Sequence, residues 1–393
     1  MPGAFEKDDQ ATHVPVIPAI SIVGLGALSA LGEDTHSHHQ AILAKRCPFR
    51  PLGELLGSGS PHAARPGAWI GNRALLTNRK WAPATMAALH VAGQAISDAG
   101  WGSDELRDAA LIVGTSRGNA AGWLGPWPGR RPFKLMAASN TIHSELASAI
   151  TIKHGITGPN HVLASGCSAG LDAIGIAMLL LQSGSVSRAL AVAVDLPLVP
   201  MLLDNYANSG LLTDRVNLDP YHPNTSGFVP GEGAAAMALE WGHENFPKLR
   251  HYSCNSDAHD PIGIPPDGGR TSELLERAVA QHGWPVAVCP HATGTQVQSV
   301  ADPALLLKTF GKSRPTVHLL KPYIGHTIGA SGLLESVILT SFLATGKLPP
   351  NLSNLHSPSD FPLPPTPVEI SGTVAKISHG LGGHNAILFI SPS

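Results

Sequence analysis

Apolar residues in this chain fall into short continuous runs and into longer stretches with helical spacing, separated by glycine-rich corners. Residues 111–115, 189–194 and 386–390 have the length and composition of buried strands. Residues 81–100 and 332–345 carry apolar side chains at the spacing of a helix face. Strands that alternate with helices are typical of sheets, mainly parallel, that helices cover on both faces. The pattern therefore predicts an α/β protein.

The second part of the chain repeats the rhythm of the first. Its predicted elements are helices at 271–282 and about 301–310 and strands at 286–289 and 317–320. No repeat of short period accompanies them. We therefore predict two similar α/β halves with a boundary near 241–255, drawn as 18–245 and 246–393, behind a flexible leader over 1–17.

The composition favours a large core and a subunit interface. Of the 393 residues, 43% are hydrophobic and 14% are charged, so little polar surface covers much apolar material. A formal net charge of −2 gives no overall field that would attract nucleic acid. The first residues lack the basic and apolar regions of a signal peptide, and Asp172 and Asp195 interrupt the most apolar stretches. We therefore expect a cytoplasmic protein without membrane insertion.

The four cysteines are widely spaced and form no CxxC pair: they are Cys47, Cys167, Cys254 and Cys289. This spacing indicates neither a disulfide framework nor a zinc site, since Cys289 and the nearby His291 supply two ligands at most. We predict no metal.

Residues 20–32 read as a strand that enters a glycine-rich turn. A dinucleotide-binding fingerprint would require glycine where Ser29 stands. We therefore interpret these glycines as a place where two elements cross closely, and not as a cofactor site.

One cysteine occupies a position suited to chemistry. Residues 162–170 form a β-prone run and a corner of small residues around Cys167, and a helix is predicted over 171–182. At the first turn of a helix, unpaired N–H groups and the helix dipole stabilise an anion and can lower a thiol pKa toward ~3.5–7.5. Cys167 is therefore a candidate nucleophile, and the alternative is a buried, inert cysteine.

Three corners of the second half combine small and polar residues with the ends of predicted strands: 289–295, 321–332 and 378–385. Strand ends are where α/β sheets bind ligands. A single histidine is an ordinary structural residue. Histidines at separate corners, together with a cysteine at a helix start, indicate Cys–His nucleophilic catalysis.

In their order along the chain, these motifs resemble the β-ketoacyl-(acyl carrier protein) synthases, the condensing enzymes of fatty-acid and polyketide assembly. The resemblance covers nearly the whole chain, from Val23-Gly24-Leu25-Gly26 to Gly383-His384-Asn385. Its specific points are Cys167-Ser168-Ala169-Gly170, Gly231-Glu232-Gly233-Ala234, Ser256-Asp257-Ala258-His259, His291 with Thr293 and Thr295, Lys321 with Gly325-His326-Thr327, Glu335, and Gly380 to Asn385.

The resemblance implies a thiolase-like α/β fold. It has two similar halves with mixed sheets covered by helices, in α-β-α-β-α layers, and its members are usually dimers. The expected partners are an acyl carrier protein and a second subunit, either identical or a related ketosynthase. No cofactor is implied, because substrates arrive on the phosphopantetheine arm of the carrier protein.

The resemblance also implies roles in a decarboxylative Claisen condensation. Cys167 would take the acyl chain from its thioester, and His291 and His326 would bind the malonyl thioester carbonyl. The backbone N–H groups of Cys167 and Leu381 would form the oxyanion hole.

Supporting roles follow from the same resemblance. Lys321 and Glu335 match a buried charge pair that orients the histidine corner, and the alternative is a purely structural ion pair. Thr293 and Thr295 match residues that bind the pantetheine arm, and their alternative role is turn capping.

The chain departs from the family pattern at three positions near these motifs. Ala292 follows the first histidine, where glycine is usual, so the backbone there is expected to differ. His379 and Leu381 replace phenylalanines that gate the acyl pocket, so both are candidate substrate-binding residues. We expect Leu381 to change acyl selectivity or to remove a gate.

A basic run lies where related enzymes dock the acidic carrier protein: Arg130, Arg131 and Lys134. The run would either dock that partner or form an ordinary solvated face.

Three alternatives stay open at this stage. The first is a non-condensing relative, either a chain-length partner subunit or a decarboxylase, although partner subunits typically lack the cysteine. The second is a biosynthetic thiolase or a coenzyme A-primed condensing enzyme, which would lack the second histidine of the pair. The third is a cysteine hydrolase or a structural α/β protein, which would not explain Lys321, His326 and Glu335 together.

Overall fold

The computed structural model describes residues 19–124, 140 and 142–393. The predicted leader over 1–17 lies outside these residues. The strands of the described part are β1 (Ile20–Ser29), β2 (Arg50–Pro51), β3 (Pro66–Gly67), β4 (Ala110–Gly114), β5 (Asn160–Leu163), β6 (Arg188–Asp195), β7 (Gly233–Trp241), β8 (Lys248–Ser256), β9 (Ala287–Cys289), β10 (Thr316–Val317), β11 (Lys347–Leu348), β12 (Val368–Glu369), β13 (Val374–Gly380) and β14 (His384–Ser391). Its α-helices are α1 (Thr35–Leu43), α2 (Gly53–Leu56), α3 (Pro83–Asp98), α4 (Ser103–Arg107), α5 (Ala120–Leu124), α6 (Glu145–His154), α7 (Ala169–Gln182), α8 (Pro200–Asn208), α9 (Thr271–His282), α10 (Gln296–Phe310), α11 (Lys321–Ile324) and α12 (Ser331–Leu343).

Ten strands of the described part form one mixed sheet, in the order β10-β9-β13-β14-β8-β1-β7-β6-β4-β5. A short antiparallel pairing of β1 with β8 joins five strands from residues 20–241 to five from 248–391. The mixed α/β class is therefore confirmed, whereas the expectation of mainly parallel pairing is wrong. β1, β7, β8 and β14 pair antiparallel with their neighbours, and parallel pairing is confined to strands nearer the two ends of the sheet.

Residues 248–256, which the sequence pattern left within the boundary between the halves, form β8. Most positions of this strand after Leu249 are partly or fully exposed. Polar residues therefore replace the continuous apolar run by which buried strands are recognised.

Alternate residues along the strands pack into different layers. In β6, Ala189, Ala191 and Ala193 join a central core that also contains α7 and α12. The intervening Leu190 and Val192 face a second core formed with α3 and α6. A third core lies on the other face of the second group of strands, against α9 and α10. The layers thus run α-β-α-β-α, as the thiolase-like fold requires.

The glycines of the first strand allow a close crossing, as the sequence indicated. β1 continues through them, and a Cβ atom placed on Gly26 would lie 2.2 Å from the carbonyl oxygen of Val91 in α3. Helix and strand backbones are therefore in contact at this point.

The two central helices meet with their first turns in contact. A Cβ atom on Gly170 would lie 2.7 Å from the backbone nitrogen of Leu333, and one on Gly332 would lie 2.3 Å from the side chain of Leu171. This approach brings the corner before α7 against the corner before α12. Those corners carry Cys167 and His326.

Candidate active site

The predicted nucleophile faces an imidazole at hydrogen-bond distance. Cys167 lies in a 3₁₀ turn, Gly166–Ser168, directly before α7, and its Sγ is 3.2 Å from Nε2 of His326. The ring of His291, just after β9, lies 5.4 Å from that of His326, with the two planes at 89°. The sulfur of Cys167 and two imidazoles that lie more than a hundred positions further along the chain therefore converge.

Hydrogen bonds fix both the backbone and the ring of His326. Its backbone N–H donates to Val229 over 2.7 Å, and its carbonyl accepts from the N–H of Gly231 over 3.0 Å. The Nδ1 atom lies 3.0 Å from the hydroxyl of Ser331, at the start of α12. Since a hydroxyl can donate or accept, the site supports either neutral tautomer of His326.

These residues line a cavity of about 560 Å³. Seven residues singled out in the sequence border it: Cys167, His291, Thr293, Thr295, His326, His379 and Leu381. Lys321 and Glu335 lie behind the cavity wall, fully buried. The sequence therefore predicted many of the residues that line the cavity. The Lys321–Glu335 ion pair, which the sequence grouped with them, lies outside the cavity lining.

A second lysine joins the buried ion pair. Lys321 Nζ is 2.6 Å from one oxygen of Glu335, and Lys376 Nζ is 2.6 Å from the other. Burial would raise the pKa of the Glu335 carboxyl, but the two lysines lower it. Lys376 also donates to the carbonyl of Pro290, so the cluster is tied to the corner that carries His291. The sequence analysis did not single out Lys376, whose signal was a lysine between the apolar residues Ala375 and Ile377.

Burial raises the pKa of the Cys167 thiol to about 12, and the charges of Lys321 and Arg117 oppose this rise. This direction corrects the expectation that the start of a helix lowers the pKa. Cys167 is buried, with 8% of its surface exposed, and such burial disfavours the charged thiolate. The thiol is therefore protonated at neutral pH, and it needs an acceptor for its proton.

The two facing histidines are neutral. Burial holds the pKa of His326 and of His291 well below the ordinary value, and the nearby Lys321 charge acts in the same direction. A neutral imidazole can accept a proton at one nitrogen and donate at the other. His326 can therefore accept the thiol proton.

The turn between β13 and β14 brings a backbone donor to the sulfur. The N–H of Leu381 is directed at the sulfur of Cys167, and this hydrogen bond favours the thiolate. The Leu381 side chain is 41% exposed at the mouth of the cavity. The backbone of Leu381 therefore lies at the sulfur, whereas its side chain lies at the mouth of the cavity.

His379 adds a third imidazole to the cavity. Its ring lies 5.6 Å from that of His291, and its Nδ1 is 2.8 Å from the side-chain oxygen of Asn385. Because an amide oxygen only accepts, Nδ1 carries the proton, and Nε2 is an unprotonated acceptor 3.9 Å from a carboxylate oxygen of Asp302. This buried Nε2 has no hydrogen-bond partner within the described residues.

The alanine after the first histidine keeps a backbone conformation suited to glycine. Ala292 has φ of 46°, and its N–H donates to Asp302 over 2.9 Å. Its methyl group is buried. The left-handed backbone of Ala292 is strained, and this hydrogen bond and the packing of the methyl group offset the strain.

The two threonines occupy the cavity wall at the start of α10. Thr293 and Thr295 have hydroxyls 3.2 Å apart, and Thr295 caps the helix by accepting from the N–H of Gln298. Thr295 therefore both caps α10 and lines the cavity.

Asp195 at the end of β6 binds two other segments around the nucleophile, residues 115–117 and Gly329, a role that the sequence did not indicate. Its carboxylate accepts from the N–H groups of Ser116, Arg117 and Gly329 over 2.8–2.9 Å, and from the hydroxyl of Thr115. Burial raises the pKa of Asp195 to about 6, and these hydrogen bonds limit the rise. The carboxylate is therefore ionised at neutral pH.

The basic run proposed for carrier-protein docking, Arg130, Arg131 and Lys134, lies outside the described residues. Within the described part of the chain, no helix combines the length and apolar composition needed to cross a bilayer.

Two protein-family models together match most of the chain. The model of the beta-ketoacyl synthase N-terminal domain matches residues 18–244, and that of the C-terminal domain matches 247–354. The 3-oxoacyl-[acyl-carrier-protein] synthase 2 of Rhizobium meliloti is 26% identical over 385 residues, which are 89% of this chain and 88% of that protein. The 3-oxoacyl-[acyl-carrier-protein] synthase 2 of Synechocystis is also 26% identical, over 411 residues, which are 94% of this chain and 97% of that protein.

Solved structures share the fold. The ishigamide ketosynthase/chain length factor has a TM-score of 0.83 at 20% identity, covering 96% of this chain and 100% of that one. The AntDE:AntF structure, a type II acyl-carrier protein in complex with its ketosynthase, has a TM-score of 0.81 at 22% identity, with coverage of 96% and 100%. The chain belongs to the beta-ketoacyl synthase family, has the thiolase-like fold that its motifs predicted, and is an enzyme of the acyltransferase class.

Proposed function

We propose that this protein is a β-ketoacyl-(acyl carrier protein) synthase, which joins an acyl chain held on Cys167 to a malonyl group and releases carbon dioxide. The 3.2 Å approach of Cys167 Sγ to His326 Nε2, inside a cavity shared with His291, carries the proposal. The curated relatives named 3-oxoacyl-[acyl-carrier-protein] synthase 2 support the same reaction.

The first half-reaction loads Cys167. Because its thiol is protonated, the proton moves to Nε2 of neutral His326 as the sulfur attacks the acyl thioester. The N–H groups of Cys167 and Leu381 bind the oxyanion of the tetrahedral intermediate, and one such donor can lower the barrier by ~2.7–4 kcal/mol. The pantetheine thiolate leaves and takes up the proton.

The second half-reaction forms the carbon–carbon bond. For this step His326 takes the tautomer with its hydrogen on Nε2, and Nδ1 then accepts from the Ser331 hydroxyl. The carbonyl oxygen of the malonyl thioester accepts hydrogen bonds from the Nε2–H groups of His291 and His326, so charge builds on that oxygen as carbon dioxide leaves. The resulting carbanion attacks the acyl carbonyl, the tetrahedral intermediate expels the Cys167 thiolate, and the thiolate takes up a proton from water to restore the thiol. Neutral imidazoles suit this step because they donate hydrogen bonds without readily protonating the carbanion.

The proposed partners are an acyl carrier protein, which brings both substrates on its phosphopantetheine arm, and a second copy of this chain or a related ketosynthase subunit. The carrier-protein complex and the ketosynthase/chain length factor pair among the structural neighbours support both. No further cofactor takes part in the proposed steps.

A two-stage assay tests the proposal. Incubation with an acyl carrier protein thioester is expected to add the acyl mass to the peptide that contains Cys167, and later addition of malonyl carrier protein should release a β-ketoacyl product. Cys167→Ala should lose both signals, whereas Cys254→Ala, which changes an exposed cysteine outside the cavity, should keep both. An adduct without a condensation product would instead identify a non-condensing relative.

A further inference from the structure

The cavity that contains Cys167 also contains a guanidinium. Arg117 lies in the segment after β4 and lines the cavity together with Tyr206. Its backbone N–H donates to Asp195 over 2.9 Å, and the N–H of the next residue, Gly118, donates to Thr115 over 2.8 Å. The backbone that presents Arg117 is therefore fixed.

The guanidinium is hydrogen-bonded to a neutral partner, and the charge of the Asp195 carboxylate acts on it without forming an ion pair. Its Nε donates to the hydroxyl of Tyr206 over 3.3 Å, and its central carbon lies 5.6 Å from the centre of the Tyr206 ring. Within the described residues no carboxylate oxygen lies within 4.0 Å of a guanidinium nitrogen of Arg117, in contrast with Arg65, Arg188 and Arg270. Residues 125–139, which follow α5, contain neither Asp nor Glu.

The remaining donors point to a ligand that accepts hydrogen bonds. Neither Nη atom of Arg117 has a hydrogen-bond partner within the described part of the chain. The Tyr206 hydroxyl accepts from Arg117, so its own hydrogen is available to a ligand. A guanidinium fork and a phenol hydroxyl side by side match the oxygens of a carboxylate.

A plain alkyl chain fits this wall poorly. Packing methylene groups against a half-buried guanidinium would remove water from its charge and offer no hydrogen bond in return. A carboxylate at the end of the chain would instead supply both the opposite charge and the acceptors.

We propose that the acyl group loaded onto Cys167 carries a carboxylate at its far end, and that Arg117, oriented by Tyr206, binds this carboxylate. The inference rests on the proposed function, since it names the substrate class of the same site. Loading itself is unchanged: the sulfur–acyl bond forms, the thioester bond to the carrier breaks, and the distal carboxylate stays intact.

Matched pairs of pantetheine thioesters test the inference. Succinyl, glutaryl, adipoyl and suberoyl groups are compared with butyryl, pentanoyl, hexanoyl and octanoyl groups, and the initial rate of Cys167 acylation is read by mass spectrometry. In at least one pair we expect the carboxylated chain to react about tenfold to a hundredfold faster, the range for hydrogen bonds to a charged partner. Arg117→Leu should bring that rate ratio close to one, and Arg117→Lys should retain part of it.

Tyr206→Phe separates positioning from charge, because it removes the hydroxyl and leaves the guanidinium. We expect its rate ratio to lie between those of the wild type and Arg117→Leu. If Arg117→Leu does not fold, as judged by circular dichroism, Arg117→Lys and Tyr206→Phe still report the ratio.

The outcomes separate the two proposals. A wild-type preference for alkyl chains, or a carboxylate preference unchanged by the Arg117 variants, would overturn the inference and leave the condensing function intact. A rise in the KM for malonyl carrier protein without a change in primer preference would overturn it too, by assigning Arg117 to the extender carboxylate. Failure of every thioester, including carrier-protein thioesters, to label Cys167 would overturn the proposed function and the inference with it.

Discussion

At the scale of single residues, two opposing effects act on the ionisation of Cys167. A helix start stabilises an anion by at most about 2 kcal/mol in favourable geometry. The rise of the thiol pKa from 9.0 to about 12 corresponds to roughly 4 kcal/mol against the thiolate. Burial therefore outweighs the helix start, and proton transfer to His326 becomes part of the chemistry.

Alkylation of Cys167 by iodoacetamide should therefore keep accelerating as the pH rises. Below a pKa of about 12 the thiolate fraction grows about tenfold for each pH unit, so we expect no plateau up to about pH 9. The measurement is peptide-resolved mass spectrometry over a pH series, with Cys167→Ala as the blank. A plateau near neutral pH would show a lowered pKa and contradict the dominance of burial.

At the scale of elements, the contact of α7 with α12 sets the distance between nucleophile and imidazole. Both helices begin at a corner that carries a reactive side chain, and Gly170 and Gly332 let their first turns touch. A side chain at this contact would separate Cys167 from His326. Such close contacts cannot be identified from apolar spacing alone, because a glycine in a helix pattern does not reveal which helix it meets.

Gly170→Ala is accordingly expected to lower stability and slow acylation together. The new methyl group would lie 2.7 Å from the Leu333 nitrogen and 2.9 Å from the Gly329 oxygen, so the helices must shift, at a cost of about 1–3 kcal/mol. Urea unfolding and the rate of Cys167 acylation measure both effects.

Gly93→Ala in α3 is the matched control. The added methyl group would meet no atom within 4 Å. The variant should therefore raise the free energy of unfolding by about 0.5–1 kcal/mol without slowing acylation. Equal behaviour of the two variants would contradict the account of the contact.

At the scale of the whole molecule, the two halves are held together near the site by an ionic contact. Asp172 of α7 accepts from Tyr252 of β8 over 2.8 Å and pairs with His384 of β14 at 2.9 Å. The hydrogen bond to Asp172 raises the pKa of His384. The charged imidazole therefore stabilises the folded chain.

This contact gives stability a defined pH dependence. Because the folded pKa of His384 lies above its ordinary value of 6.5, its contribution is complete below pH 6.5 and is lost as the pH rises through the folded pKa. The stability difference between the wild type and His384→Asn should be about 1 kcal/mol at about pH 6 and smaller at about pH 9, as measured by urea unfolding.

The exposed His259→Asn variant is the control for adding an asparagine in place of a histidine. A wild-type advantage over His384→Asn that grows with pH would contradict the pairing.

The sequence alone determined the alternation of strands and helices, the helix at 271–282, and the residue types of the Cys–His chemistry, because periodicity and local motifs depend on neighbours along the chain. It could not determine that β8 bridges the halves, that Lys376 joins Glu335, or that Arg117 lines the same cavity as Cys167. It also predicted the wrong direction for the Cys167 pKa. Each of these depends on burial and on contacts between distant segments, and only the tertiary structure fixes which charges lose water and which groups meet.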